Sequence, residues 1–162
     1  MQSVLQDDGR TALAVAIKTQ PLHVAWGTGN PAWDSAPEPE PTNATALVSE
    51  VGRRTATSVD YVLPDAAGSI VLPTGDKYAV SPTPTPWVYV RTVFEFGDAV
   101  GATIREIGLF VGSQTDGALP PGQRYFTPAQ VVSPGRLYLL NRQERIVRSG
   151  GTYQAIEFVL PF

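Results

Sequence analysis

The side chains able to do chemistry are few, and most of them are carboxylates. Asp34, Glu38, Glu40, Glu50 and Asp60 could supply the two facing acids that cleave a glycosidic bond. Glu38 and Glu40, however, lie in residues 34–43 (DSAPEPEPTN), an acidic, proline-spaced stretch that reads as a solvated loop in extended form. Such a loop holds a catalytic pair poorly. The one histidine, His23, lies in the apolar run 22–26 (LHVAW), where a satisfied core or interface histidine is the plainer reading. With one His and no Cys, a Ser-His-Asp device and the usual His/Cys zinc site are both disfavoured, and disulfides are excluded. Gly27-Thr28-Gly29 has Ala32 where a dinucleotide fingerprint needs its third glycine, and the Gly-Lys-Ser/Thr of a phosphate loop is absent. It reads as a tight turn. No cofactor, metal or catalytic role is expected.

Two further groups could act by contact. Trp26, Trp33 and Trp87, with Tyr89, could stack on sugars, but they read first as core or interface anchors. Residues 103–111 (TIREIGLFV) read as a strand, being rich in β-branched and aromatic residues. Neighbours on a strand point to opposite faces, so Arg105 and Glu106 place one charge on each otherwise apolar face. The start of this strand therefore meets solvent, a partner chain or an ion pair. The expected partners are Glu50, Arg53 and Arg54.

The elements that position these residues follow from pattern. Residues 1–9 read as a polar arm closed by the turn signal Asp7-Asp8-Gly9, and a single domain over 10–162 follows. Residues 10–20 (RTALAVAIKTQ) set Leu13 and Ile17 on one helical face, with Thr11 as cap and Pro21 as stop. The alternation of Leu13, Val15 and Ile17 also fits a strand. Residues 45–54 (TALVSEVGRR) read as a second short helix, capped by Asn43, with Leu47 and Val51 on one face and Glu50 at ion-pair spacing from Arg53 and Arg54.

Beyond Thr55 the chain reads as β-structure. Residues 58–63 and 69–72 form a strand pair, and 80–86 (VSPTPTP) a stiff connector or an edge. Residues 87–96 and 103–111 form an antiparallel hairpin. The run 136–148 follows, and Gly150-Gly151 signals a last hairpin into 152–160. The expected fold class is α+β: two short N-terminal helices packed on a mainly antiparallel sheet or sandwich, with long Pro/Gly-rich loops.

Composition narrows the function. Charged residues make up 17% of the 162, against about 25% in ordinary domains. A charge-poor surface fits one covered by partners. The net charge of −3 and the lack of a basic tract point away from nucleic acid. No apolar run approaches the ~20 residues that span a bilayer, and the N-terminus lacks signal-peptide features. Synthesis in the cytoplasm and no membrane partner are expected.

With these residues in view, the chain resembles the N-terminal domain of phage tail-collar fibre proteins, of contractile-tailed phages. The resemblance rests on Gly27-Thr28-Gly29, on Thr45-Ala46-Leu47 with Glu50 and Arg53, and on Arg105-Glu106-Ile107-Gly108-Leu109-Phe110. The terminal run 156–162 (IEFVLPF) is similar to the closing strand of such domains. The resemblance implies a structural virion protein that attaches tail fibres to the baseplate. It implies baseplate wedge and tail fibre proteins as partners, and a homo-oligomer or several copies in the particle. Family members continue into a shaft and tip, so a chain ending at Phe162 is expected to be a stand-alone adaptor or a baseplate component itself. Arg105, Glu106, Glu50, Arg53, Trp26, Trp33 and Trp87 are the structural or interface candidates. The alternatives are a carbohydrate-binding module built on the tryptophans and, behind it, a small glycoside hydrolase.

Overall fold

A computed structural model describes residues 3–162; Met1 and Gln2, part of the stretch read as an arm, lie outside the described residues. In chain order the elements are α1 (Asp7–Lys18), β1 (Leu22–Gly27), β2 (Glu50–Thr55), β3 (Ser58–Pro64), β4 (Ile70–Val71), β5 (Lys77–Val80) and β6 (Trp87–Phe94). Then come β7 (Thr103–Val111), β8 (Gln114–Thr115), β9 (Tyr125–Phe126), β10 (Val131–Ser133), β11 (Arg136–Val147) and β12 (Gln154–Pro161). Short 3-10 turns stand at Pro31–Asp34 and Pro128–Gln130.

The fold is mainly β, which corrects the expected two-helix α+β class: the described residues contain one α-helix. That helix starts earlier than its apolar spacing suggests. Asp7 and Asp8, read as a turn, form its acidic first turn, and Lys18 stands in its last, each sign complementing the helix dipole. The second helix does not form. Leu47 is buried, Ser49 takes a left-handed φ of 55°, and Glu50–Thr55 is strand β2. Gly52 weakens a helix at this point, and β1 offers the segment a full ladder of antiparallel partners. Tertiary pairing overrides a four-residue apolar spacing.

The chain divides into two compact units. One takes in the chain up to Gln20, Ala56–Thr92 and Ala155–Phe162. Its sheet runs in the order β12-β6-β3-β5-β4. The expected pairing of β3 with β4 is not made, because β5 lies between them and is antiparallel to both. Val62, Val88 and Val90 are fully buried. The Lys18 ammonium donates to the Val59 carbonyl and stands 4.9 Å from the centre of the Tyr61 ring. After β5 the proline-rich stretch is a connector, pinned by the Thr85 hydroxyl donating to the Val62 carbonyl at 2.7 Å.

The other unit is Pro21–Thr55 with Val93–Gln154. Its sheet runs β11-β7-β1-β2-β9 with every neighbour antiparallel. The expected hairpins of β6 with β7 and of β11 with β12 are absent, since their members lie in different sheets. A Gly turn reverses the chain locally; it does not decide which strand receives it. β7 lies between β1 and β11 and is buried from Ile104 to Phe110. On one face Ala25, Gly108 and Phe110 are covered by Leu47, with Leu137 and Leu140 packed alongside. On the other, Val24, Trp26, Ile107 and Leu109 share a side. Trp26 stacks on Phe94 with ring centroids 3.5 Å apart, and the Arg148 guanidinium stands 4.9 Å from the Trp26 ring centre.

Trp26 is fully buried in this packing. Trp26→Ala is therefore expected to lower the unfolding free energy by about 3–5 kcal/mol, read from urea denaturation of the isolated chain. A loss well under 1 kcal/mol would contradict the packing.

Candidate functional site

Arg105 and Glu106 leave β7 on opposite faces, and both are buried, at 8% and 1% exposure. Neither reaches Glu50, Arg53 or Arg54; the ion pairs expected there go elsewhere. Arg105 grips Asp34 with two parallel bonds, Nε to Oδ1 at 2.7 Å and a terminal nitrogen to Oδ2 at 2.8 Å. Its other terminal nitrogen donates to the Thr28 carbonyl at 3.0 Å. A bidentate, charge-assisted fork of this kind fixes geometry as well as charge. Arg145 adds a contact to Asp34 Oδ2 at 3.2 Å. The hydrogen bonds from Arg105 hold the Asp34 carboxyl below its ordinary range, against a smaller opposing effect of burial. The stability this gives is present above the unfolded carboxyl value and is lost as pH falls through the depressed one.

Local sequence presents Asp34. Asn30 caps the 3-10 turn by accepting the Ala32 N–H at 3.0 Å. Gly29 just before it has φ +60°, and a Cβ there would lie 2.5 Å from the Trp33 ring. The tight turn read at Gly27-Thr28-Gly29 thus makes room for a tryptophan.

Glu106 is met by the same loop at one remove. Its carboxylate accepts the Val48 N–H at 2.7 Å and the Arg142 Nε–H at 3.2 Å. Arg142 lies over the Trp33 ring, 3.9 Å from its centre, and donates to the carbonyls of Pro39 at 2.9 Å and Glu38 at 3.3 Å. The Arg142 backbone N–H donates to Glu40 Oε1 at 2.8 Å, the first cause of the lowered Glu40 carboxyl. The register of β11 against β7 jumps between Arg142 and Ile146, so residues 143–145 stand opposite Arg105 alone. This wide bulge and the acidic loop border a cleft of about 870 Å³ lined by Trp33, Asp34, Glu38, Glu40 and 142–145 among others.

A second buried arginine organises the far end of the same sheet. The register shift between Trp26 and Gly27 leaves Val51 as the bulged residue, which turns Glu50 to the same side as Arg53. Arg53, 2% exposed, then forks onto Glu50 at 2.8 and 2.7 Å. It also donates to Ser113 at 2.9 Å and to the Pro134 carbonyl at 2.8 Å, and lies 4.1 Å from the centre of Phe110. Nearby, His23 Nε2 is 3.2 Å from the Thr55 hydroxyl, and its buried Nδ1 has no partner among the described residues. Burial first, and the Arg53 charge second, lower its pKa to about 4. His23 is a neutral core histidine.

Most residues behind the sugar-stacking and hydrolytic alternatives are engaged elsewhere. Trp26 is fully buried, and Trp33 lies under Arg142 and against Gly29. Trp87 belongs to the other unit and is half-buried near Val4, Leu5 and Phe162. Asp34 and Glu50 are engaged by arginines. Asp34 and Glu40 are held low, whereas a general acid needs a raised pKa. Among the described residues no group of three or more His, Cys, Asp or Glu could hold a metal ion, and no helix is long and apolar enough to cross a membrane.

The residues that sequence reasoning missed are Asp34 as an ion-pair partner, Arg142, Arg145 and Arg148. Their signal was complementarity at a distance: an acidic stretch at 34–40 and arginines at every third position from 142 to 148.

A family model described as baseplate wedge 3 tail fiber network component matches residues 2–162. The chain belongs to this family, and its role is that of a structural component of the phage tail baseplate and its fibre network. This agrees with the tail-fibre resemblance carried by the sequence motifs. No curated protein matches the sequence significantly.

Two outcomes follow from this geometry. Glu106→Gln leaves one of two buried donors facing an amide NH₂, and is expected to cost about 1–3 kcal/mol of stability. Glu38→Gln, at a largely exposed carboxylate, should stay within about 0.5 kcal/mol of the parent. Equal unfolding midpoints for parent and Glu106→Gln would refute the buried clamp. For His23 the folded pKa lies below the unfolded one, so the unfolded chain binds the extra proton at intermediate pH. Stability is complete above about pH 6.5 and falls toward pH 4, with a slope approaching 1.4 kcal/mol per pH unit. Denaturation midpoints at pH 7.5 and 5.5 should differ in the parent and converge in His23→Asn; a parent with no difference would count against a neutral buried imidazole.

Proposed function

We propose that this member of the baseplate family is an adaptor that joins tail fibres to the baseplate wedge of a contractile-tailed phage. It acts in several copies, with residues 10–162 serving as one attachment module. The observation that supports this most is the clamped loop at 33–40. Arg105, Arg142 and Arg145 fix an acidic, proline-rich segment on one end of a sheet. A segment ordered in advance loses little entropy when a partner docks on it. Low overall charge suits surfaces shared with neighbours, and the committed carboxylates suit a structural rather than a hydrolytic part.

The reading is tested in the particle. Phage lacking this chain should assemble baseplates that carry no fibres, seen by electron microscopy, and should recover fibres when the chain is supplied. Fibres present at normal occupancy without it would end the adaptor reading.

A further inference from the structure

A sheet edge left open pairs with other chains, and short length, lysines, proline or bulges usually prevent it. Of the four outer strands of the two five-stranded sheets, three are protected in this way. β4 and β9 have two residues each. β11 is broken by register shifts, and Glu40 takes its outward Arg142 N–H. β12 is different. It runs eight residues (QAIEFVLP), and 155–160 contains no lysine, glycine or proline. Its one charge, Glu157, is turned back into the sheet, 3.0 Å from Arg91 of β6.

Strand parity tells which main-chain groups face outward. The Phe162 N–H donates to the Pro86 carbonyl at 2.9 Å, and five residues back along β12 Glu157 meets Arg91, so one antiparallel register with β6 holds between them. The Thr57 N–H donates to the Arg91 carbonyl, so Arg91 turns its main-chain groups toward β3 and Val90 turns its own toward β12. Hydrogen-bonded pairs alternate along such a ladder. Ile156, Phe158 and Leu160 therefore point N–H and C=O at β6, and Ala155, Glu157 and Val159 point theirs out of the sheet. β12 has no second neighbouring strand, and the outward groups of these three residues have no main-chain partner among the described residues. All three residues are part-exposed.

This outward set is symmetric about Glu157. Laid antiparallel on a second β12 with Glu157 opposite Glu157, it sets Ala155 opposite Val159 twice, and every outward N–H of one copy meets a C=O of the other. The same register places Ile156 opposite Phe158 twice, an aromatic and β-branched pair of the kind that stabilises antiparallel strands. Ile156 is 8% exposed, whereas Phe158, on the same side of the strand, is left part-exposed. The opposed glutamates each keep their own Arg91, bound through Nε alone with both terminal nitrogens to spare among the described residues. No net charge gathers where the strands cross.

We infer that β12 pairs antiparallel with β12 of a second copy of this chain, about a two-fold axis at Glu157, and so joins the sheets of the two copies. Closure about a two-fold axis uses the open edge of both copies, so the pairing stops at two. The inference rests on the strand edge and not on the adaptor reading.

The test uses the full chain in a dilution series, with mass read by light scattering after size exclusion. The parent is expected as a dimer that dissociates on dilution. Proline is accepted on an edge strand where its missing N–H faces solvent. Ala155→Pro with Val159→Pro therefore keeps the ladder to β6 and removes two of the three outward donors. It is expected to raise the dissociation constant about tenfold or more (~1.4 kcal/mol), with the parent's unfolding midpoint at concentrations where both are monomers. Hydrogen exchange reads the same edge without a substitution. In the dimer the amides of Ala155, Glu157 and Val159 are protected; on dilution they exchange fast, while those of Phe158 and Leu160 stay protected. A parent that is monomeric throughout, parent affinity in the folded double variant, or a dimer whose outward amides exchange as fast as in the monomer would each overturn the inference.

Discussion

Burial of charge inside β7 is the constraint on which the second unit depends. Both faces of β7 are covered, so Arg105 and Glu106 lose most of their water when the unit packs. The desolvation of each amounts to several kcal/mol unless a partner replaces the water. Most side chains facing them in the sheet are apolar, so the partners come from the loop residues Asp34 and Val48 and from one cross-strand neighbour, Arg142 of β11. Asp34 answers Arg105; Arg142 and the Val48 N–H answer Glu106. Two irregular segments, 28–49 and the end of β11, are thereby held in place by charges that begin on a regular strand.

The same logic recurs at other arginines. Arg53 draws together Glu50, Ser113 and the Pro134 carbonyl. Arg148, 2% exposed, donates to the carbonyls of Glu95 at 2.7 Å and Asp98 at 3.4 Å while standing over Trp26. The planar guanidinium has five donors and a flat face. It can bind several carbonyls and pack on an aromatic ring at once, which a lysine could not do. Buried arginines here do the work that regular secondary structure does elsewhere: they order long loops in a chain without cysteine.

Edge control bears on the assembly role. β11 is the long outer strand of its sheet, and an open edge invites uncontrolled pairing with other chains. It is interrupted by register shifts near Tyr138 and at 143–145, and Glu40 occupies the outward N–H of Arg142. These features disfavour strand-to-strand stacking. They suit a baseplate part whose contacts are made by shaped side-chain surfaces, where geometry limits the number of neighbours.

What the sequence determined by itself is local. The helix near residue 12, strands β1, β3, β6, β7 and β12, and the turn at 27–29 were legible, because alternation, apolar spacing and glycine placement act over a few residues. The motifs around Thr45 and Arg105 also carried the family. Tertiary structure decided the rest. The segment 45–54 became a plug and a strand because β1 offered it a ladder, and β5 entered between β3 and β4. The partners of Arg105 and Glu106 came from residues far away in sequence, Asp34 and Arg142. A one-residue bulge at Val51 set which side of the sheet Glu50 faces. Strand pairing, bulge parity and ion-pair choice compare alternatives distant along the chain, and those alternatives differ in energy only once the chain has folded and water has left the core.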